Sequence, residues 1–566
     1  MKILIVGGVA GGASAATRLR RLDERAEIIL FEKGPYVSYA NCGLPYYIGG
    51  VIAEKEKLLV TKPELLRRRF CIDVRTENEV TAIDRAAKKV TVRDLRTNRT
   101  YEESYDKLLL SPGAAPKRLP VEGNDLEGVF TLRTVPDTLA IDAYIREKRV
   151  KQAVVVGAGF IGVEMAENLK KRGLDVTIVE FLDQAVGSLD REMAAVLHGH
   201  LREKGISLRL RTAVEGLERA NHGLRVRLAD GGALEAGMVL ISVGVTPDSR
   251  LAKEAGLALG PGGSIRVEDT FATSDPSIYA VGDAVCVRHI VSGAETLLPL
   301  AGPANKQGRI AAENMLGNRT IHWKGVQGSA VLKVFDLTAA STGLNEKQLR
   351  QLSISYRKTY VHPADHATYY PGATQLSMKL LFAPDGRLLG AQAIGREGVD
   401  KRIDVIAAVM RMGGTVADLE ELELGYAPPY SSAKDPVNIL GFTAANILNG
   451  SMQVVYAEEL EDRLQDALLL DVRTAAEARG GGISGAMQIP VDELRERIGE
   501  LPAGRPVILY CAVGLRGYIA QRILLQQGIE AYNLSGGYKT YQMVFPEKDL
   551  SAVPSRVDCA GLPCKG

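Results

Sequence analysis

The stretch from residue 153 to residue 180 restricts the possible folds of this chain more than any other. It joins an apolar run, the glycine pattern G-A-G-F-I-G and a second apolar run that ends in an acid. A strand, a glycine turn and a helix bind the pyrophosphate of a dinucleotide, because free backbone N–H groups and the helix dipole face the anion. The closing acid repels a 2′-phosphate and so favours NADH over NADPH, although Lys170 or Arg191 could still reach such a phosphate. The predicted contacts of this unit are Gly157, Gly159, Phe160, Ile161, Gly162, Glu180 and Gly244.

A second, less complete unit of the same kind opens the chain. The apolar run of residues 2–6 leads into G-G-V-A-G-G, a helix and another apolar run that ends in Glu32. Val9 stands at a position where the usual pattern has glycine, so this turn alone is the weaker signal. Two dinucleotide units in one chain predict a bound flavin nucleotide and a visiting nicotinamide, with hydride transfer between them.

One cysteine, Cys42, follows the first unit in the segment S-Y-A-N-C-G-L-P-Y-Y. No second cysteine stands four or five positions further on, and the next one is Cys71. A lone thiolate beside a nucleotide reacts by forming a mixed disulfide, a persulfide or a sulfenate. The alternative is a small buried apolar residue, as many free cysteines are. Because Gly43 and Pro45 predict a tight turn with exposed N–H groups, we favour a catalytic Cys42.

Residues 1–450 resemble the single-cysteine flavoprotein disulfide reductases, which include coenzyme A-disulfide reductase, NADH peroxidase and NADH oxidase. The G-G-V-A-G-G and S-Y-A-N-C-G-L-P-Y segments are most similar to the coenzyme A-disulfide reductase branch. The segment T-S-D-P-S-I-Y-A-V-G-D matches the second flavin motif of this family, which implies FAD in the first unit and NADH in the second. The implied FAD contacts are Gly7, Gly8, Ala10, Gly11, Gly12, Glu32, Lys33, Asn41, Ser111, Gly113, Asp283, Pro299, Leu300 and Ala301.

Residues 326–450 resemble the interface domain of the family, which completes the active site of the partner subunit. This implies a homodimer with shared active sites. Two-cysteine reductases have a His-Glu pair near residues 425–436, but no histidine occurs there in this chain. Tyr426 is therefore the candidate proton donor, with Tyr369 or Tyr370 as a second, since a phenol can donate to a thiolate. The alternative for Tyr426 is a packing aromatic in a proline-rich loop.

The resemblance also implies a coenzyme A site, with CoA joined to Cys42 as a mixed disulfide. Arg18, Arg20 and Arg21 lie on the first predicted helix and could contact the phosphates of this polyanion; the alternative is a solvated basic face. The implied CoA contacts are Ser14, Arg18, Arg21, Ser38, Asn41, Asn305, Arg309 and Lys434.

The pattern changes after residue 450. The apolar run L-L-L-D-V-R is followed by P-V-I-L-Y, the loop C-A-V-G-L-R and a helix, which places the Cys511 sulfur among backbone N–H groups that stabilise an anion. This region resembles a single rhodanese domain, which implies Cys511 as the sulfur carrier and Arg516 as a catalytic residue. Gly482 stands where many rhodaneses have histidine. The alternative is an inactive rhodanese-like fold.

Length and composition fit this organisation. With 566 residues the chain needs three or four domains, and six scattered cysteines indicate a reducing cytoplasm rather than a disulfide framework. A net charge of +2 predicts neither nucleic-acid nor membrane binding, and we expect no signal peptide, membrane span or metal site. We predict an α/β fold with two Rossmann-like domains, an α+β interface domain and an α/β rhodanese domain. The expected boundaries are 1–115 and 266–325 (FAD), 148–265 (NADH), 326–450 (interface), 457–550 (rhodanese) and 551–566 (a tail with Cys559 and Cys564).

Together these features predict a flow of electrons and a flow of sulfur. NADH would reduce FAD, reduced FAD would resolve a disulfide or persulfide at Cys42, and Cys511 would carry a sulfane sulfur. The expected substrates are small-molecule or protein-borne persulfides, polysulfides, CoA-disulfide and CoA-persulfide. Two alternatives stay open: an NADH oxidase or peroxidase, and a sulfurtransferase with a redox-sensing flavin half.

Overall fold

The protein is described by a computed structural model that covers residues 1–221, 223–317 and 320–546. The chain forms two compact units. Unit 1 comprises Met1–Gly187 and Leu201–Gly328, and unit 2 comprises Ser188–His200 and the chain from Ser329 onward. The predicted tail with Cys559 and Cys564 lies outside the described residues.

The strands follow one another through both units. Those within residues 1–187 are β1 (Lys2–Val6), β2 (Glu27–Glu32), β3 (Asp73–Thr76), β4 (Asn78–Asp84), β5 (Lys89–Asp94), β6 (Thr100–Ser104), β7 (Lys107–Leu110), β8 (Ala114–Pro116), β9 (Val129–Phe130), β10 (Gln152–Val156) and β11 (Asp175–Val179). Those within residues 201–328 are β12 (Ser207–Arg209), β13 (Val214–Ala220), β14 (Gly223–Leu228), β15 (Ala233–Ala236), β16 (Met238–Ile241), β17 (Val245–Pro247), β18 (Ile265–Arg266), β19 (Ile278–Ala280), β20 (Val285–Arg288) and β21 (Glu295–Thr296). Those that follow are β22 (Ala330–Val334), β23 (Leu337–Gly343), β24 (Arg357–Val361), β25 (Ser377–Phe382), β26 (Leu388–Gly395), β27 (Val454–Val455), β28 (Leu468–Asp471), β29 (Met487–Gln488), β30 (Val507–Tyr510) and β31 (Ala531–Leu534).

The helices lie between these strands. The α-helices are α1 (Ala10–Leu22), α2 (Leu44–Ile48), α3 (Pro63–Phe70), α4 (Val135–Glu147), α5 (Phe160–Lys171), α6 (Arg191–Glu203), α7 (Arg250–Glu254), α8 (Ala301–Leu316), α9 (Glu346–Gln351), α10 (Val399–Arg411), α11 (Val416–Glu421), α12 (Pro436–Leu448), α13 (Leu460–Arg463), α14 (Ala475–Arg479), α15 (Leu494–Arg497), α16 (Leu515–Gln526) and α17 (Gly537–Val544). Short 3-10 turns occupy Asn41–Gly43, Lys55–Leu58, Pro261–Gly263, Gly282–Ala284, Ala457–Glu459 and Ile498–Glu500. Across the described ranges, no helix has both the length and the apolar character needed to cross a membrane.

Two parallel sheets position the glycine turns of unit 1. The first has the order β19-β7-β1-β2-β3, and the second has the order β12-β11-β10-β16-β9. Ile3, Leu4 and Ile5 in β1 are fully buried, as expected for a strand covered on both faces of a parallel sheet. In each sheet the glycine turn follows an inner strand, β1 or β10, at the carboxyl edge where α/β folds bind ligands.

Unit 2 contains an antiparallel sheet and a parallel sheet. The antiparallel sheet has the order β22-β23-β26-β25-β24, and all residues of β25 and β26 are buried. The parallel sheet has the order β27-β31-β30-β28-β29, and Cys511 follows directly after β30. The two cysteine-bearing regions therefore belong to separate sheets, with Cys42 in unit 1 and Cys511 in unit 2.

The strand β24 joins the two sheets of unit 2. His362, directly after β24, lies between Ser377 and Thr540: Nδ1 is 2.9 Å from Ser377 Oγ and Nε2 is 2.8 Å from Thr540 Oγ1. The Tyr456 hydroxyl donates to the Lys358 carbonyl at 2.8 Å, and the Lys358 ammonium pairs with Glu458. These contacts fix the Cys511-bearing sheet to the antiparallel sheet of the same chain.

Unit 2 also encloses a fully buried lysine. Lys379 pairs with Asp190 at 2.7 Å and also with Glu192 and Glu346. The three carboxylates lie close enough together to hold a metal ion. Because Lys379 contacts all three acids and Lys358 and Arg350 also pair with Glu346, cations of the chain already offset their charge. This group therefore has a structural explanation, as a buried ion needs paired partners.

Candidate active site

The two glycine turns of unit 1 have the same hydrogen-bond pattern. Glu32 accepts from the Gly8 and Gly34 N–H groups at 2.9 and 2.8 Å. Glu180 accepts from the Ala158 and Leu182 N–H groups at 2.7 and 2.8 Å. Burial raises the pKa of Glu32, and its two backbone donors oppose that effect. Each acid thus lies directly against its own glycine turn, where a ribose would be held.

The packing at both turns fits a dinucleotide. A Cβ at Gly7 would lie 2.1 Å from the Ser111 oxygen, and one at Gly162 would lie 2.1 Å from the Gly157 oxygen. A Cβ at Gly159 would meet no described atom within 4 Å, so the space before α5 is open. The residues before α1 and α5, Val9 and Gly159, form no side-chain cap. The first-turn N–H groups of both helices can therefore bind an anion.

Several predicted FAD contacts converge on the first turn. A Cβ at Gly11 would lie 2.9 Å from Ser111 Oγ, and the Gly282 N–H donates to Gln307 of α8 at 2.7 Å. Asp283 forms an ion pair with Arg133 at 3.3 Å, and burial raises its pKa. Sequence reasoning missed Arg133, which belongs to no motif and lies 150 residues from Asp283.

The other predicted contacts are less closely grouped. The Asn41 Oδ1 atom is buried and has no partner among the described residues, which suits a ligand donor. Lys33 is exposed and pairs with Asp248 at 3.4 Å. Leu300 precedes α8, and its side chain forms no cap there. The remaining predicted positions are Ala10 and Gly12 at the start of α1, Gly113 beside Arg133, Pro299 and Ala301 at the start of α8, Phe160 and Ile161 at the start of α5, and the left-handed Gly244.

Cys42 lies in the 3-10 turn before α2 and is exposed. The surrounding protein nevertheless desolvates the sulfur, and this raises the pKa of Cys42, with the charges of Glu164 and Asp283 adding to the shift. Burial also raises the pKa of Glu164 to about 7. The Tyr46 hydroxyl donates to Glu164 at 3.3 Å. Glu164 was missed from the sequence, because it stands in α5 just after the glycine pattern and has no signature of its own.

The predicted tyrosines separate into a pair and a single residue. The hydroxyl oxygens of Tyr369 and Tyr426 are 2.5 Å apart, and this bond raises the pKa of Tyr369. The two side chains are exposed in the single chain, at 73% and 47%. Tyr370 instead sets its ring edge-to-face against His366, with centroids 5.9 Å apart. The structure thus brings Tyr369, rather than Tyr370, to Tyr426.

The predicted CoA contacts of unit 1 lie on α1, on α8 and beside the first glycine turn. Ser14 donates to Asn305 at 2.5 Å, and Arg18 pairs with Glu313. Arg21 and Arg309 are exposed, and so is Lys434 in unit 2. The Ser38 N–H donates to the Gly8 carbonyl at 2.8 Å.

One suggestion about the basic face of α1 is wrong. Arg20 is buried and donates to the carbonyls of Phe70, Cys71, Asp23 and Glu24. Its guanidinium therefore has a structural role and is not available to a phosphate.

Cys511 lies in a different setting, between β30 and α16. Its side chain is buried, and its sulfur accepts a hydrogen bond from the Gly514 N–H at 3.1 Å. The Tyr538 N–H donates to the Cys511 carbonyl at 2.8 Å. A Cβ at Gly537 would lie 2.4 Å from that carbonyl oxygen, so the start of α17 packs tightly on the Cys511 loop. Backbone donors of this kind stabilise a thiolate or a persulfide anion.

Arg516 forms a bidentate ion pair beside Cys511. Its Nη1 and Nη2 atoms donate to Glu477 at 2.7 and 2.5 Å. The pair with Arg516 lowers the pKa of Glu477 to about 2. The pKa of Arg516 is raised, mainly by Glu477, and the neighbouring Cys511 sulfur adds to this shift. Glu477 was not predicted from the sequence.

The absence of histidine at position 482 has a packing reason. A Cβ at Gly482 would lie 2.8 Å from the Arg473 guanidinium and 3.0 Å from the Tyr510 hydroxyl. Arg473 is fixed there by two-pronged bonds to Asp471 and by the rings of Tyr510 and Tyr538. A larger side chain at this position would have to displace that cluster.

Three family models match consecutive parts of the chain. Residues 1–308 match the pyridine nucleotide-disulphide oxidoreductases, residues 329–436 match their dimerisation domain, and residues 456–543 match the rhodanese-like domain. The predicted α/β fold class, with two dinucleotide-binding domains and a rhodanese domain, is confirmed by these matches and by the solved structures described next.

Similar proteins cover nearly all of the chain. The coenzyme A disulfide reductase of Staphylococcus haemolyticus is 39% identical over 449 residues, which is 79% of this chain and 100% of that protein. The crystal structure of reduced CoADR-RHD from Bacillus anthracis is 49% identical, with a TM-score of 0.95 over 96% of this chain and 98% of that one. A NAD-dependent persulfide reductase from A. fulgidus is 39% identical, with a TM-score of 0.90 over 96% of this chain and 100% of that one.

Proposed function

The chain belongs to the pyridine nucleotide-disulphide oxidoreductase family, and from this membership we propose an NADH-dependent flavoprotein that reduces persulfides, polysulfides and CoA-disulfide. The observation that carries the proposal is the presence of two cysteines in complementary settings. Cys42 follows the first dinucleotide unit in sequence, with no second cysteine before Cys71, and Cys511 lies in an anion-stabilising loop of a rhodanese-like domain. The similarity to a persulfide reductase and to a CoADR-RHD supports this substrate class.

The residues of the first turn suit FAD, and those of the second suit NADH. When bound, FAD takes a hydride from NADH and delivers two electrons to a sulfur bond at Cys42. Glu32, Asp283 and the start of α1 would hold FAD, while Glu180 and the start of α5 would hold NADH. The negative charge of Glu180 supports NADH rather than NADPH as the electron donor.

Cys42 performs the sulfur chemistry in this proposal. Its thiolate attacks the outer sulfur of a persulfide RS–SH, so that a Cys42 persulfide forms and RS⁻ leaves. The Cys42 persulfide then takes up two electrons and two protons, and its S–S bond breaks to give the Cys42 thiol and hydrogen sulfide. We assign the proton supply to Tyr426 of the partner subunit and Tyr369 of the partner subunit, because these exposed hydroxyls are hydrogen-bonded to each other and can donate to a thiolate.

We also propose a cytoplasmic homodimer with a CoA site. The family model over residues 329–436 is that of a dimerisation domain, which supports the dimer. Arg21 and Arg309 are exposed on α1 and α8 and would meet phosphates, and Ser14 with Asn305 offers polar contacts between the same helices. CoA would be held by these groups together with Ser38 and Asn41, and the proposed dimer would add Lys434 of the partner subunit.

The test is NADH oxidation by the purified full-length protein. We expect fast oxidation under argon with CoA-disulfide or a persulfide, sulfide as the product of the latter, and slower oxidation with NADPH. Rapid NADH oxidation in air without any sulfur substrate would instead favour the NADH oxidase alternative. Full sulfur transfer with no NADH-dependent reduction would favour the sulfurtransferase alternative.

A further inference from the structure

Arg516, a cation that interacts with the Cys511 sulfur, is paired with an acid. The two guanidinium nitrogens of Arg516 donate to the two carboxylate oxygens of Glu477, and both side chains are only partly exposed. A planar guanidinium recognises an oxyanion through the same fork of donors. Because Glu477 occupies that fork, an incoming oxyanion would have to displace a carboxylate.

Glu477 is held in this position by its own element. It accepts from the Thr474 N–H at 3.0 Å and from the Thr474 hydroxyl at 2.9 Å, which closes a capping box at the start of α14. The carboxylate is therefore positioned by the helix cap as well as by Arg516.

Two further cations near the loop are also engaged. Arg473 donates to both oxygens of Asp471 in a buried pair. The Lys539 N–H donates to the Ala512 carbonyl, and the Lys539 ammonium bonds to the Gln375 side chain. The Asp471 carboxylate neutralises Arg473, whereas the Lys539 ammonium keeps its charge and is held at the Gln375 amide oxygen.

Apolar side chains are exposed next to Arg516. Leu515 is 66% exposed, and Ile519, one turn further along α16, is 41% exposed. Residues four positions apart lie on the same helix face, so these two form an apolar strip beside the loop. An uncharged organic group would lose water against this strip, whereas a small inorganic dianion would not.

We propose that Glu477 is a specificity-determining residue that directs the Cys511 loop to carbon-bound persulfides and away from thiosulfate. This inference rests on the proposed function, because it names the sulfur donor of the same carrier cysteine. With a persulfide, the Cys511 thiolate attacks the outer sulfur of RS–SH, one S–S bond forms and one breaks, and RS⁻ leaves with a single charge. With thiosulfate the same attack expels sulfite as a dianion, which a neutralised Arg516 does not stabilise.

The test compares two donors in the full-length protein, with cyanide as the acceptor and thiocyanate as the product. The donors are 2-hydroxyethyl persulfide and thiosulfate, and the variant is Glu477→Gln, whose amide can still accept the capping bonds of Thr474. We expect kcat/KM for thiosulfate to rise about tenfold in the variant, and kcat/KM for the persulfide to stay within about twofold. A matched control is Glu500→Gln, which removes the same charge from a two-pronged pair with Arg497 in the same domain. This control should leave both values unchanged.

A wild-type protein that prefers thiosulfate, or a folded Glu477→Gln variant with an unchanged donor ratio, would overturn the proposal. If the variant does not fold, the salt dependence of the wild-type reaction decides. Thiosulfate turnover should then change little between low and high salt, and a steep decrease with salt would show a free cation at the loop and contradict the proposal. Failure of the reductase assignment is a separate result, since it would appear as missing NADH-dependent sulfide release with the donor preference intact.

Discussion

Cys42 and Cys511 each lie just before a helix, but their surroundings differ in charge and in exposure. Cys42 is exposed, and partial desolvation together with Glu164 and Asp283 raises its pKa, so its neighbours favour the thiol. Cys511 is buried and accepts a backbone N–H bond, and backbone donors of this kind stabilise a sulfur anion. We infer that Cys511 is built to hold a sulfur anion, whereas Cys42 is built to be reached and to react.

The largest expected effect comes from removing the carrier sulfur. Cys511→Ser should reduce sulfur transfer from a persulfide to cyanide to background, because a hydroxyl cannot carry the sulfane sulfur. Reduction of small disulfides such as CoA-disulfide should persist, since it needs Cys42 alone. Parallel assays of thiocyanate formation and of NADH oxidation measure the two activities. Equal loss of both would show that the two cysteines do not work independently.

A smaller loss is expected from the proton donor assigned to the Cys42 chemistry. Tyr426→Phe removes one hydrogen bond to a charged thiolate, worth roughly 1.5–3 kcal/mol, so disulfide reduction should slow about ten- to a hundredfold. Stopped-flow reduction of the flavin by NADH should be nearly unchanged. Tyr370→Phe is the matched control, because Tyr370 packs on His366 and does not bond to Tyr426. An equal slowing of flavin reduction would assign Tyr426 to flavin packing instead.

The pH dependence tests why the two cysteines differ. The raised pKa of Cys42 means that kcat/KM for disulfides should increase with pH as the thiolate forms. Glu164→Gln removes a negative charge that favours the thiol. The rising limb of the curve of kcat/KM against pH should therefore move to lower pH by roughly 0.5–1 unit. Tyr46→Phe removes the hydrogen bond to Glu164 but not its charge, and should move the limb less. A limb that stays in place in Glu164→Gln would exclude this charge as a cause.

The smallest effect on activity is expected at His362, which connects the antiparallel sheet of unit 2 to Thr540 in the Cys511-bearing domain. Burial lowers the pKa of His362 to about 3, below its ordinary value of 6.5, so the folded state prefers the neutral ring. The stability that this ring contributes is present above pH 6.5 and is lost as the pH falls towards 3, by up to about 1.4 kcal/mol per pH unit.

The variant His362→Gln isolates that contribution. It should leave both activities at pH 7.5 within about twofold, because His362 contacts neither cysteine directly. Its thermal unfolding midpoint should fall less than that of the wild type between pH 7.5 and pH 5. Identical decreases in the two proteins would contradict the role of His362.

Local motifs were sufficient to predict the geometry of the two glycine turns. A strand, a glycine turn and a helix are close in sequence, so the positions of Glu32 and Glu180 against their turns follow from local geometry. Arg133 and Glu477 were missed, because each acts through a partner, Asp283 or Arg516, that is distant in sequence and carries no common motif.

The same limit explains the error at Arg20. The helix pattern placed it with Arg18 and Arg21 on a basic face, but the carbonyls that it binds include two that lie about 50 residues away. The sequence offered Tyr369 and Tyr370 as alternatives, and their different partners in the structure are Tyr426 and His366. Side chains that depend on tertiary partners cannot be assigned from periodicity alone.

The central claim is that electrons from NADH reach a sulfane sulfur through Cys42, including a sulfane sulfur carried by Cys511. The most direct measurement is a single turnover, in which full-length protein is loaded with persulfide sulfur, freed of excess donor and mixed with NADH under argon while sulfide is recorded. We predict a stoichiometric release of sulfide from the wild type, and none from Cys42→Ser, which should retain its Cys511 persulfide and still show flavin reduction. Release of sulfide from Cys42→Ser at the wild-type rate would contradict the account.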